Sequence, residues 1–165
     1  PEVCRGKIKE AIKLIMTKGE DELQAFVAEF KTEFYQMTAE QISFPRSCNN
    51  LKKYKHSSNI FIKGTPIHVK GALIYNENLK RFKLHRKYPI IQEGDKLKFL
   101  KLKEANPFKF DVISYVTKLP SEFKLQEYID YDMMFQKTFL DPMSFILNSI
   151  GWTYEKTASL EDFFV

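Results

Sequence analysis

Long apolar runs, glycine-rich phosphate loops and metal-ligand spacings are all missing from this chain. No stretch approaches the ~20 apolar residues that span a bilayer, and no secretory leader is visible. The only two cysteines, Cys4 and Cys48, stand in no ligand-like spacing and read as free thiols of a reducing compartment. His56, His68 and His85 have no cysteine partner and no HxxxH spacing, which argues against a metal centre. There is neither a phosphate-cradling glycine loop nor a nucleophile elbow, which removes the nucleotide hydrolases and serine esterases built on them. Acidic residues are also scarce in one place: residues 46–103 carry 15 lysines and arginines against three acids.

Those 165 residues, with 44% apolar content, suffice for one domain with a core, or one domain plus a tail. A start at Pro1 rather than Met suggests an excised piece. The net charge of +5 conceals strong segregation, because the basic middle lies between acidic flanks. A block with its acids thinned out in this way is an electrostatic footprint for a polyanion.

Periodicity predicts α+β architecture. Ile8, Ala11, Ile12 and Ile15 share one helical face, and Leu23, Phe26, Val27, Phe30, Phe34 and Met37 share another. The short link at Lys18-Gly19 joins them as an antiparallel helical hairpin. Residues 39–64 read as polar and irregular. Thr65-Pro66 is expected to cap and start a helix with Ile67, Leu73 and Ile74 inward. Residues 80–87 read as a basic loop or short strand, and Glu93-Gly94-Asp95 as a turn. Residues 96–103 alternate Lys with Leu and Phe, a strand with one wet face, and 111–117 is its expected partner. Residues 128–150 form a C-terminal helix with Ile129, Met133, Leu140, Met143, Leu147 and Ile150 in register, kinked or split by Pro142 and stopped by Gly151. Two parts are expected: a domain over 1–151, in which a small basic strand-and-loop subdomain lies between helices, and a flexible tail 152–165.

Two stretches carry chemistry. In Ser47-Cys48-Asn49-Asn50-Leu51-Lys52-Lys53-Tyr54-Lys55, small polar side chains sit beside three lysines and a tyrosine. Ser47, Asn49 and Asn50 donate to phosphate or sugar oxygens, Lys52, Lys53 and Lys55 neutralise phosphate, and Tyr54 stacks on a sugar or donates its hydroxyl. No groove-filling helix reads base edges, so backbone gripping without sequence preference is expected. At the C-terminus, Leu160, Phe163 and Phe164 fall on one face of a helical turn, an apolar plug with Glu161 and Asp162 left in water. The plug resembles the clamp-binding box by which replication proteins dock on a sliding clamp; a tail packing on its own domain is the plainer alternative. Asp130-Tyr131-Asp132 looks like a metal-binding pair, but i and i+2 on a helix face apart.

The chain resembles the thumb region and C-terminal tail of the family B replicative DNA polymerases of T-even-like bacteriophages. The strings that carry this are the opening helix pair, Asn49-Asn50 with Lys53-Tyr54, the run from Pro66-Ile67-His68-Val69-Lys70-Gly71-Ala72 to Tyr75-Asn76, Glu93-Gly94-Asp95-Lys96, Asn106-Pro107-Phe108, Lys137-Thr138-Phe139-Leu140-Asp141-Pro142 and Ala158-Ser159-Leu160-Glu161-Asp162-Phe163-Phe164. The resemblance implies a module that grips primer–template duplex and docks on the sliding clamp in DNA replication, with His68 and Lys70 also facing nucleic acid. It implies a host bacterial cytoplasm, and palm, fingers and exonuclease portions on the same chain or a separate subunit. It places the nucleotidyltransferase carboxylates and their two Mg ions on the palm, so no catalytic residue, cofactor or membrane contact is expected here. Glu161 stands where relatives commonly have an apolar residue. The rival readings are a single-stranded nucleic-acid binder stacking bases on Tyr54, Phe82 and Tyr88, and an adaptor for an acidic protein partner.

Overall fold

A computed structural model describes residues 1–156. With 52% of the chain helical and 13% in strands of small antiparallel sheets, the fold is α+β. Two units emerge, residues 38–134 (with Pro1) and residues 2–37 together with 135–156.

The second unit begins with the expected helical hairpin, α1 (Glu2–Thr17) and α2 (Glu20–Tyr35). Three acids open α2, where they oppose the helix dipole, and Glu22 accepts a hydrogen bond from the Gly19 N–H at 3.1 Å. Lys7, early in α1, reaches Glu33, late in α2, at 3.4 Å, as an antiparallel pair requires. Leu23, Val27, Phe30 and Phe34 are buried as the spacing predicts. On α1 the buried residues are Cys4 and Ala11, whereas Ile12 is exposed.

The C-terminal helix departs from its simple reading. It starts at α6 (Tyr131–Phe135), continues as a π-helical segment (Gln136–Leu140), and resumes as α7 (Asp141–Ile150). A π turn inserts one extra residue into the helical count. Ile129, Leu140, Met143 and Leu147 are buried as expected and Met134, Phe135 and Phe139 join them, while Met133 and Ile150, both expected inward, are exposed. Pro142 lies in the first turn of α7, where it removes no needed donor. Phe30 meets Phe139 edge-on at 4.8 Å, and Phe34 meets Phe135 at 5.2 Å. Gly151, at φ 72°, ends α7, and Thr153 is tied to α2 through Gln24 and Glu20.

In the first unit the polar stretch holds more structure than its composition suggests. Thr38 and Gln41 form a reciprocal capping box on α3 (Ala39–Ile42). Strand β1 (Phe44–Ser47) follows, then α4 (Leu51–Tyr54) and a small hairpin of β2 (Lys55–His56) and β3 (Ile60–Phe61). Helix α5 (Ile67–Arg81) starts at Pro66, and the Thr65 hydroxyl bonds back to the Ile62 carbonyl instead of capping it. Ile67 is exposed, and Val69, Ala72, Tyr75 and Leu79 join Leu73 and Ile74 in the core. Residues 82–88 form turns rather than a strand.

Strands β4 (Lys96–Lys101) and β5 (Val112–Tyr115) pair as expected, and β1 adds to the other edge of β4 to give the order β1-β4-β5. The register sets Phe44 opposite Phe99 and Ser47 opposite Lys96. Helix α5 lies across β5 at Gly71, where an added Cβ would stand 2.4 Å from the Ser114 hydroxyl and 2.8 Å from its backbone nitrogen.

Candidate nucleic-acid interface

Backbone hydrogen bonds pin the basic loop at both ends. Cys48 is fully buried; its N–H donates to the Asp95 carbonyl at 2.8 Å, and its own carbonyl accepts from Gly94 at 2.6 Å. Asn50 adopts the left-handed conformation, φ 64°. From there the Asn50 and Leu51 N–H groups both donate to the Glu93 carboxylate, at 2.7 and 2.8 Å. These bonds, Leu51's foremost, hold the Glu93 carboxyl below its usual range, with Lys52 adding to them. Asp95 is similarly occupied by the Gln92 N–H at 2.8 Å. Two of the three acids in the basic block are thus tied to backbone donors. Lys52, Lys53 and Lys55 form no ion pair among the described residues.

Asn49, Asn50, Lys52, Lys53 and Lys55 are exposed and Tyr54 is half-buried, with the Lys53 ammonium 5.2 Å from its ring. Ser47 belongs to β1 rather than to a loop, paired with Lys96. His68 is half-buried and hydrogen bonded to the Ser47 backbone, its ring 6.5 Å from Phe99. Lys70 lies 4.9 Å from the Phe61 ring. The fold therefore joins Ser47 to His68, while Lys70 faces the β3 hairpin instead.

The sequence reading missed Arg46. Its guanidinium lies 5.6 Å from Phe44 and 5.9 Å from Phe99, two rings stacked at 5.0 Å. With Ser47 and Lys96 it lines a shallow hollow of about 200 Å³ on the sheet edge. Only the β1–β4 register brings these groups together. Other lysines are already engaged: Lys101 binds Asp111 at 2.8 Å and Lys87 binds Glu122 at 3.2 Å.

Burial, followed by the charge of Arg46, pushes the His68 pKa below the usual histidine value, against the pull of the Ser47 bond. The unfolded ring, at its ordinary pKa of 6.5, takes up a proton that the folded ring resists. Stability from this site is therefore present above that value and is lost as pH falls below it. At neutral pH the ring adds no charge to the surface. His68→Gln should accordingly leave the log–log salt slope of DNA binding at pH 7 unchanged to within about 0.5, where each charged contact is worth about 0.9; a loss near a full contact would contradict this.

Cys48 is raised to about 11, by burial first and then by Glu93 and Asp95, and burial also raises Cys4. Neither thiol should react with a disulfide reagent at pH 8 in the native protein, and both should on unfolding. Prompt native-state labelling of either would contradict the buried placement.

Several suspects turn out to be structural. Asp130 caps α6, its carboxylate accepting from the Met133 N–H at 3.0 Å. His56 Nδ1 accepts from the Ser58 and Asn59 N–H groups, each at 3.2 Å, closing the β2–β3 turn. Tyr88, offered as a stacking platform, is buried and donates to Glu122 at 2.7 Å. Phe82 is partly exposed but packs against Phe108 and Phe123. Among the described residues no three His, Cys, Asp or Glu side chains gather as a metal site, and no helix is long and apolar enough to cross a membrane. Leu160, Phe163 and Phe164 lie outside the described residues.

No protein-family model matches the chain. It is 30% identical, over 99% of its length, to the DNA-directed DNA polymerase of Enterobacteria phage T4. It is 32% identical, again over 99%, to the DNA-directed DNA polymerase of Escherichia phage RB69. In both cases it spans 18% of the relative's length. Nearly the whole chain thus corresponds to one segment of the T4-like phage DNA polymerases.

Proposed function

We propose that this chain is the thumb portion of a DNA-directed DNA polymerase, gripping primer–template duplex through its backbone while the polymerase's other parts supply the chemistry. The observation that carries the reading is the end-to-end similarity to phage polymerases, joined to the exposed Asn49-Asn50 and Lys53 surface, with Tyr54 half-buried beside it. Ser47, Asn49 and Asn50 would donate to phosphate or sugar, and Lys52, Lys53, Lys55 and Arg46 would neutralise phosphate. His68 would position Ser47, and Lys70 would add charge from the hairpin side. The thumb would comprise residues 1–151, and the remainder would be a clamp-docking tail.

Fluorescence anisotropy on a primer–template duplex and a matched single strand, across a salt series, tests this. Duplex preference is expected, with a log–log slope of about −4 to −5 if about five cations contact phosphate. Single-strand preference would favour a stacking binder, and no binding near physiological salt would favour a protein adaptor; either result defeats the duplex reading.

The tail makes a separate proposal. Leu160, Phe163 and Phe164 would dock on a sliding clamp. Replacing both Phe163 and Phe164 with Ala should weaken clamp binding by about 2–4 kcal/mol, as loss of buried aromatic anchors does, with duplex affinity retained. Clamp binding equal to the parent's would refute the plug.

A further inference from the structure

Behind the basic loop, α4, β2, β3, α5 and the segment before Glu93 enclose a cavity of about 290 Å³. Its floor is aliphatic, built from Leu51, Ile60, Leu73 and Ile90, and its rim carries Lys52, Lys55 and Lys80. We propose that this cavity binds one nucleoside phosphate, either free or as the unpaired terminal unit of a strand.

The walls are fixed without a ligand. The Asn76 amide clamps the backbone of Ile91, donating to its carbonyl at 2.9 Å and accepting from its N–H at 2.8 Å. Glu93 holds the start of α4, as described above. Ile60 sits at φ 68°, a left-handed conformation that is uncommon for a β-branched side chain and that clusters at ligand-clamping positions. Because His56 Nδ1 accepts two backbone N–H bonds, the neutral ring carries its proton on Nε2, a donor in the cavity lining.

The chemistry selects the ligand. Three lysines act as point charges for phosphate oxygens. An aliphatic slot accepts the flat apolar faces of a base. Glu77 also lines the cavity, and a carboxylate there accepts from ribose hydroxyls or a base amino group but repels a bare anion. That mixture disfavours inorganic phosphate and acidic peptides. The volume falls just under the range of ordinary ligand pockets, about 300–1,000 Å³, which limits the occupant to a single nucleotide unit.

The inference is separate from the duplex-grip reading, although the two share Lys52 and Lys55. The test is amide NMR on the full chain titrated with dAMP, with inorganic phosphate, and with duplexes that are blunt or carry a one-nucleotide overhang. Saturable shifts at residues 51–56, 60, 76–80 and 90–93 are expected with dAMP below about 1 mM, with phosphate at least about tenfold weaker. Ile90→Glu and Lys80→Glu should each weaken dAMP by about tenfold or more, while blunt-duplex affinity stays within about twofold. Lys80 is exposed, so its replacement tests the site without threatening the core. Shifts at Ile60 and Ile90 from the overhanging but not the blunt duplex would assign the ligand to a strand end, and shifts from dAMP alone would assign it to a free nucleotide. Absence of saturation, phosphate binding as tight as dAMP, or an unaffected Lys80→Glu variant overturns the proposal. A failed salt slope with intact dAMP binding would sink only the duplex reading.

Discussion

Gly71→Val is expected to be among the most destabilising single substitutions in the first unit, costing about 3 kcal/mol or more. Glycine in mid-helix normally invites replacement, since alanine there gains about 1 kcal/mol of helix propensity. Here the clash decides the sign. A Cβ at position 71 would stand 2.8 Å from the Ser114 nitrogen and 3.0 Å from the Ile113 carbonyl carbon, both backbone atoms of a buried strand. Neither atom can swing aside as a long side chain would, so α5 must lift off β5 or the sheet must bend. Even Gly71→Ala should lose about 1–3 kcal/mol net. Truncating the 2.4 Å neighbour with Ser114→Ala should recover only part of this, because the backbone contacts remain and the bond from Ser114 to the His68 carbonyl is lost. Urea denaturation of the single and double variants checks this. A Gly71→Ala protein as stable as the parent would mean that helix and strand are not in such close contact.

Which features could be read from sequence depended on how far their causes extended along the chain. The helical hairpin was legible because Leu23, Val27, Phe30 and Phe34 repeat at local spacing and are buried on it. Strands β4 and β5 were legible for the same reason, through alternation and a short apolar run. Strand β1 was not: Pro45 and Arg46 resemble loop residues, and an edge strand paired on one side leaves three of its four positions exposed. The C-terminal helix was legible too, with Ile129, Leu140, Met143 and Leu147 buried as their spacing predicts; its π turn was not, because such a turn carries no compositional signal. Of the candidate interface, the charge excess was plain, because composition alone creates it. The grouping of Arg46 with Phe44, Phe99 and His68 was not, because the register between residues 44–47 and 96–99 decides it. Some residues of the strings that carry the resemblance also have structural work, Asn106 closing a turn through the Lys103 and Phe110 carbonyls and Asn76 clamping Ile91.

Replacing Lys52, Lys53 and Lys55 together with Ala should weaken duplex binding by about 500-fold at 0.1 M salt if all three contact phosphate. Each contact contributes about 0.9 to the log–log slope, so removing three flattens it by about 2.7. At 0.1 M that difference is worth about 4 kcal/mol, and it shrinks towards zero near 1 M. The convergence at high salt separates lost phosphate contacts from a damaged fold, which would depress binding at every salt concentration. The fold should survive, since all three side chains are exposed and without ion-pair partners among the described residues. Losing Lys52 also removes a cation near Glu93, yet the two backbone bonds to that carboxylate remain and keep α4 in place. Exchanging the three lysines for arginine should restore the slope, because the contacts required are charge on a backbone rather than recognition of a base. A triple-alanine protein with the parental slope would move the grip away from this loop, and the exposed Arg46 and Lys96 on the sheet edge would then be the candidates to carry it.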